Sequence, residues 1–370
     1  MTKPFICNAA WNALTIWPRG QITPCCLYEY TMARPLSDYR GTETFRDVQD
    51  QMLAGERPAG CKWCWQNEDR GMYSYRQHYG SDEKKRDRLM YLDIRNTNTC
   101  NLACRFCGPE FSSTWTKILT GLEINTFDIS DFLSEIDLSN LIEIYFTGGE
   151  PMMNPAHWRL LNFLIEKGYS KKIKLRYNTN LSILSYKDQD ALELWKKFQW
   201  VDVHGSLEAI GEPLTMIRSG ADWVAISRNI EKIIEMRRQY GHIQFSIYCT
   251  VGILNYWFLN DLLKWGRMKD IDIELSVLEN PDFLTIRALP RNALHLLDEY
   301  PVDEEYLDQS RRLVLDHCRK SAGNDDYLIT QTVAHTTMID RARGENLFDL
   351  MPWKDFAKPA VFEQQWPKNI

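Results

Sequence analysis

Three cysteines, Cys100, Cys104 and Cys107, stand within the eight residues "CNLACRFC", separated by three residues and then by two. Zinc and closed iron–sulfur sites take four ligands. Three thiolates hold a metal cluster with one corner open, and an open corner is where an exogenous ligand binds. Read from the residues alone, the alternatives are a zinc knuckle completed by a distant His or Cys, and buried structural thiols behaving as small hydrophobes. A second group lies upstream. Cys7, Cys25, Cys61 and Cys64 have the count for a closed four-thiolate site holding zinc or a four-iron cluster, with Cys26 able to take the place of Cys25. Eight of the ten cysteines precede residue 108, and only Cys249 and Cys318 follow. That asymmetry puts metal chemistry at the N-terminal end of the chain.

The elements around the cysteine loop must position it. Short β-rich runs begin at residue 91: "YLDIRN" (91–96), "IEIYFT" (142–147), "KIKLRYN" (172–178), "WVDVHGS" (200–206), "IQFSIYCTV" (243–251) and "IDIELSVL" (271–278). Amphipathic stretches near 111–122, 156–168, 187–198, 222–240 and 257–269 separate them. Such alternation predicts parallel βαβ units, because parallel strands need a crossover. Six units predict an α/β fold, a partial (βα)6 TIM-type barrel, with its chemistry at the C-terminal ends of the strands. The cysteine loop directly follows the first of these strands. Residues 1–80 are turn-rich with one periodic helix near 42–54. Beyond 280, "NALHLLDEY" and "EEYLDQSRRLVLDHC" read as helices. The expected division is therefore 1–80, a cysteine-rich domain; 90–280, the partial barrel; and 281–370, a mainly helical extension.

With Phe106 before its last cysteine, "CNLACRFC" resembles the CxxxCxxC signature of radical S-adenosylmethionine enzymes. The resemblance implies a [4Fe-4S] cluster whose free iron is chelated by S-adenosylmethionine. Its reductive cleavage yields a 5′-deoxyadenosyl radical that abstracts hydrogen from a substrate. "FTGGEPMMNP" follows the second strand. Its Gly148, Gly149, Glu150 and Pro151 resemble the family's motif for the methionine amino group, and adjacent glycines let a backbone approach a ligand closely. By the same resemblance Ser206 and Glu208 meet the ribose hydroxyls, Arg218 the methionine carboxylate, and Phe106 the adenine side. Asn178, with Asn180, occupies the place where relatives read "TNG", with Leu181 in place of the glycine.

The Cys7–Gly20–Cys25 spacing and the Cys61–Cys64 pair resemble the SPASM and twitch domains of this family, which hold auxiliary [4Fe-4S] clusters, here ahead of the barrel. Relatives of this kind modify peptides or proteins, which makes a peptidyl substrate the first expectation and a sugar or nucleotide the second. An external electron donor such as flavodoxin or ferredoxin is implied. A non-catalytic metal-bearing redox or docking module is the alternative of a different class, and it leaves the GGEP stretch without a use.

Composition sets the outer bounds. The 370 residues are 44% hydrophobic and 25% charged, with net charge −6. They offer no general attraction for nucleic acid. The basic run "KKRDR" (84–88) reads as a solvated face. No run approaches 18 uninterrupted apolar residues, and the first twenty residues lack the basic-then-apolar order of a secretory signal. The expected compartment is a reducing cytoplasm, where ten cysteines do not pair as disulfides. His157 and His204 lie near strand ends and are expected to be hydrogen-bonded structural histidines. No acid–base pair stands out, since a radical removes the need for one.

Overall fold

Every one of the six expected strands forms, and the N-terminal segment adds two more. The computed structural model describes residues 5–29, 39–69, 71, 73–82, 88–121, 129, 136–323, 325 and 327–356; most of the basic run at 84–88 lies outside them. The principal strands are β1 (Ala13–Ile16), β2 (Ile22–Thr23), β3 (Tyr91–Ile94), β4 (Glu143–Phe146), β5 (Lys174–Thr179), β6 (Trp200–Ser206), β7 (Ile243–Val251) and β8 (Asp272–Val277). The chain divides into two compact units, each drawn from several segments.

The first unit comprises Met1–Thr99, Ile124–Asn178 and Ser185–Asp202. Its strands pair β2–β1–β3–β4–β5, with only the β1–β2 pair antiparallel. The segment "ALTI" reads as one more short apolar run in a turn-rich region, yet it is fully buried and lies parallel to β3. The cysteine-rich segment is thus tied into the sheet by backbone hydrogen bonds. Alternation along each strand separates two faces. Leu92, Ile94, Ile144, Phe146, Leu175 and Tyr177 are all buried on one face. The helix Pro155–Glu166 covers this face, started by Asn154, whose side chain accepts from the Ala156 amide (3.0 Å) ahead of a first-turn proline. The opposite face carries Asp93, Tyr145 and Arg176 in one cross-strand row. The helix expected over 187–198 shrinks to Ala191–Trp195 behind a small hairpin, Ser185–Tyr186 with Gln189–Asp190. Asp190 accepts from the Leu192 amide (2.7 Å), so a capping residue starts the helix late.

His157, on the covering helix, is buried with its Nε2 2.9 Å from the Tyr177 hydroxyl and its ring edge-on to Phe146. This is the structural role expected for it. Burial pushes its pKa down to about 3. An unfolded chain protonates the same imidazole near pH 6.5, so below that pH the unfolded state binds more protons and stability falls as pH falls. The expected slope is about 1.4 kcal/mol per pH unit between about pH 6.5 and the folded pKa. Urea unfolding of the protein and of His157→Gln across this range checks it: the variant's slope is shallower by that amount. Equal slopes reject the assignment.

The second unit comprises Cys100–Glu123, Thr179–Leu184 and Val203–Ile370. In it β7 and β8 pair in parallel from Ser246–Asp272 to Val251–Val277. A short antiparallel pair joins Ala103–Cys104 to Arg218–Ser219. Its helices include Trp223–Gln239, Leu259–Met268, Gln309–Ser321 and Leu328–Arg343. "NALHLLDEY" forms only the single turn Leu296–Glu299 after a 3-10 turn. The chain past 280 is otherwise mainly helical as far as it is described.

Candidate active site

In the second unit the cysteine loop is held at each end. The Cys100 amide donates to Ser113 Oγ (3.1 Å), and its carbonyl accepts from Thr114 Oγ1 (2.7 Å). Both partners open the helix Ser113–Thr120, which Ser112 caps through the Trp115 amide. Cys104 sits on the short strand opposite Arg218. Its carbonyl accepts from Trp115 Nε1 (2.8 Å) and from the Cys107 amide (3.0 Å).

Donors point at the sulfurs. Leu102 N lies 3.5 Å and Asn180 Nδ2 3.8 Å from Cys100 Sγ, and Arg218 Nη1 lies 3.7 Å from Cys104 Sγ. Burial pushes the Cys104 thiol up to about 12, against the opposing pull of Arg218, and it raises Cys107 as well. Buried thiols surrounded by N–H donors suit thiolates that are neutralised by a metal. The donor set fits a three-thiolate iron–sulfur cluster.

Arg218 is itself oriented. Its guanidinium binds Glu208 through two hydrogen bonds, one from Nη2 to Oε1 at 2.7 Å and one from Nε to Oε2, and it lies 5.3 Å from the Phe106 ring centroid. The Cys104, Phe106, Glu208 and Arg218 of the sequence reading therefore meet in one place. Ser206 is half-buried at the end of β6. Nearby, His204 Nδ1 is 2.9 Å from Ser246 Oγ and its ring stacks on Tyr248. Of the two asparagines, Asn180 is the one at the cysteine loop, also donating to Asn101 Oδ1 (3.1 Å). Asn178 belongs to the first unit, on the half-buried face of β5. Leu181, standing where relatives carry glycine, has φ +63°, the left-handed backbone that glycine adopts without strain.

In the first unit the GGEP turn packs on the residues that lead into Cys100. The Gly149 amide donates to Thr97 O (3.1 Å) and the Glu150 amide to Thr99 O (2.7 Å). Gly148 has φ +99°. A Cβ on Gly149 would stand 2.4 Å from Thr99 O, so only glycine permits this approach. Glu150 is 1% exposed, and its carboxylate accepts from the Met152 amide (3.2 Å), fixing the turn in which Pro151 begins a 3-10 helix.

Also in the first unit, Cys7, Cys25, Cys61 and Cys64 line one enclosed cavity, whereas Cys26 lines a different one beside Asp93, Tyr145 and Arg176. Backbone amides reach three of the four sulfurs. Leu27 N lies 3.3 Å from Cys25 Sγ, Ala9 reaches Cys7, and Tyr75 and Arg76 reach Cys64. Burial nevertheless pushes Cys7 and Cys61 up to about 12. As at the first loop, such thiols with amide donors suit metal-bound thiolates. Among the described residues, no three metal-binding side chains converge as closely as a single ion requires.

Residues 94–255 match the family model described as the Radical SAM superfamily. The chain is similar to GTP 3′,8-cyclase of Campylobacter lari, 23% identical over 196 residues that cover 51% of this chain and 56% of the relative. It is also similar to molybdenum cofactor biosynthesis protein 1 of Dictyostelium discoideum, 28% identical over 190 residues covering 50% and 28%. The chain therefore spans about half, or less, of these relatives' length. Among solved structures it is similar to Streptococcus suis SuiB bound to the precursor peptide SuiA, with TM-score 0.40, 17% identity and coverage of 71% of this chain and 54% of that chain. For anSMEcpe with bound AdoMet the TM-score is 0.37 at 18% identity, covering 51% and 52%.

Proposed function

We propose, from the match of residues 94–255 to the Radical SAM superfamily, that the chain is a radical SAM enzyme that cleaves S-adenosylmethionine to modify a peptide or protein, assisted by an auxiliary [4Fe-4S] cluster. When bound, a four-iron cluster with one open iron supplies the electron that splits a sulfur–carbon bond of S-adenosylmethionine, releasing methionine and a 5′-deoxyadenosyl radical that takes a hydrogen atom from the substrate. Cys100, Cys104 and Cys107 hold that cluster. Phe106 lies on the adenine side. Arg218, steadied by Glu208, turns toward the methionine carboxylate, and Ser206 and Glu208 take the ribose hydroxyls. By its resemblance to the family motif, the GGEP turn, Gly148 to Pro151, is assigned to the methionine amino group.

The observation that carries this reading is the set of N–H donors aimed at the sulfurs of Cys100 and Cys104 within the matched domain. Cys7, Cys25, Cys61 and Cys64 hold the auxiliary cluster. They line a cavity rather than converge on a point, which suits a four-iron cluster over one zinc ion. Four thiolate ligands would leave such a cluster no open iron, so its chemistry would be electron relay rather than substrate binding. An external flavodoxin or ferredoxin reduces the protein in the cytoplasm; no helix among the described residues is long and apolar enough to cross a membrane. In this reading residues 1–80 serve the auxiliary cluster, 90–280 the radical chemistry and 281–370 its support.

A peptide is favoured over a nucleotide by the polar face of the first unit. Among the described residues, three cations of this unit each meet a carboxylate. Arg95 binds both oxygens of Asp93 (3.0 and 2.9 Å), Arg176 meets Glu143 (3.3 Å), and Lys174 lies 3.5 Å from Asp202. A triphosphate calls for unmatched cations; neutralised pairs and the Tyr145 phenol suit amide groups. The GTP 3′,8-cyclase relatives motivate the nucleotide as the second reading. The test is anaerobic incubation of reduced, reconstituted protein with S-adenosylmethionine. 5′-Deoxyadenosine forms, and Cys104→Ala abolishes it. Persistence of cleavage in that variant rejects the proposal, and stimulation by GTP rather than by a peptide library rejects the substrate class.

A further inference from the structure

The C-terminal helix Leu328–Arg343 carries a buried polar stripe: Thr332, Thr336 and Asp340 recur every fourth residue, and all three are buried. A helix that only packed would place apolar side chains there. Facing Asp340 is Arg105, the residue between Cys104 and Phe106, whose side chain is 0% exposed. Every part of its guanidinium is engaged. Nε donates to Met216 O (2.8 Å), Nη1 to Thr336 O (3.3 Å), and Nη2 to both Asp340 Oδ1 and Glu345 Oε2, the latter at 2.6 Å.

The main chain is gripped as well. Three consecutive carbonyls around the central cysteine each accept a side-chain hydrogen bond. Arg343 Nη1 donates to Ala103 O (2.8 Å), Trp115 Nε1 to Cys104 O (2.8 Å) and His335 Nε2 to Arg105 O (2.9 Å). Two of these donors belong to the C-terminal helix, and Arg343 also covers the Trp115 ring at 4.3 Å. Gly344, with φ +66°, ends the helix and turns the chain so that Glu345 comes back to the loop. The two carboxylate oxygens of Glu345 then go to different segments: Oε2 to Arg105, just after the Ala103–Cys104 strand, and Oε1 to the hydroxyl of Ser219, the neighbour of Arg218. Asp340 meanwhile accepts from the amides of Leu347 (3.2 Å) and Phe348 (3.0 Å), which fixes the turn carrying Glu345.

We propose that Asp340 and Glu345 are positioning residues for S-adenosylmethionine cleavage, holding the Cys104–Phe106 segment and the Arg218–Ser219 strand at one spacing so that the Cys104 thiolate, the Phe106 ring and the Arg218 guanidinium share a fixed geometry. The inference rests on the radical SAM reading given above. Arg105 is held by protein partners alone, Met216 O, Thr336 O, Asp340 and Glu345, so it and its carboxylates act through the residues beside them. Outer partners of metal ligands of this kind are worth roughly 10–100-fold in affinity or activity.

The test uses full-length protein with both clusters reconstituted. Glu345→Gln and Asp340→Asn keep the side-chain shape and remove the charge. Both are expected to load as much iron as the unchanged protein, to bind S-adenosylmethionine about ten-fold more weakly, and to show a smaller S-adenosylmethionine-induced change in the electron paramagnetic resonance spectrum of the reduced cluster. Glu345→Asp retains the charge but is one methylene too short to reach both Arg105 and Ser219, so it does not restore the affinity. Ser219→Ala removes only one end of the bridge and serves where a charge variant does not fold; its expected loss is about three-fold, a fraction of the full range. Unchanged affinity and spectra in Glu345→Gln and Ser219→Ala overturn the inference, even if the melting temperature drops. If the unchanged protein itself shows no spectral response to S-adenosylmethionine, the radical SAM reading falls and the inference falls with it.

Discussion

Protein carrying Cys100→Ala, Cys104→Ala and Cys107→Ala together is expected to retain about four irons per chain after anaerobic reconstitution, one cluster's worth, and to form no 5′-deoxyadenosine. The two thiol groups lie in different compact units. Cys7, Cys25, Cys61 and Cys64 keep their shared cavity, and the amides of Leu27, Ala9, Tyr75 and Arg76 keep their sulfur acceptors. Iron and sulfide analysis, with zinc measured on the same sample, decides the matter. Iron near zero with about one zinc per chain makes the first eighty residues a structural zinc module and removes the electron relay. A complementary Cys25→Ala, Cys61→Ala protein is expected to lose the auxiliary iron and still cleave S-adenosylmethionine. Cys26→Ala is expected to leave both metal contents unchanged, because Cys26 faces the Asp93 and Tyr145 side of the first unit.

Much of this was legible before any coordinates. β6 and β7 begin and end where their alternation predicts, because period-two burial leaves no other register. The cysteine spacing and GGEP were readable because they are local: each is one loop whose residue types and spacing stand together in the sequence. Other features were hidden for equally physical reasons. "ALTI" is too short and too uniformly apolar to announce a strand, and only its pairing with β3 makes it one. Cys25 and Cys26 are neighbours, so no spacing rule separates them; the direction each side chain takes from the backbone does. Arg105 stands at a position the cysteine spacing leaves unspecified, and its acceptors Asp340 and Glu345 lie 235 and 240 positions away. No periodicity connects residues at that distance. The one signal within reach was the run Thr332, Thr336, Asp340, a polar stripe at helical spacing.

Gly149→Ala is expected to destabilise the protein by about 3 kcal/mol and to weaken S-adenosylmethionine binding at least ten-fold. The added Cβ would stand 2.4 Å from Thr99 O, 2.8 Å from Asn98 C and 2.9 Å from Thr99 C. All three are backbone atoms, and none can swing aside as a side chain can. The turn must therefore retreat, which breaks the Glu150 amide's bond to Thr99 O and the Gly149 amide's bond to Thr97 O. Thr99 immediately precedes Cys100, so the strain enters the cysteine loop through the chain itself. Gly168→Ala isolates what backbone conformation alone costs. Gly168 has φ +74° but nothing within 4 Å of its would-be Cβ, so the expected loss is about 1 kcal/mol with cofactor affinity unchanged. Urea unfolding and calorimetric titration with S-adenosylmethionine, run on both variants, separate the two effects. If Gly149→Ala proves no more costly than Gly168→Ala, the GGEP turn does not depend on close packing, and its glycines are there for conformation only. If it is more costly but binding is unchanged, the turn supports the loop without facing the cofactor. Loss of both stability and binding is the outcome that ties the turn to the methionine amino group.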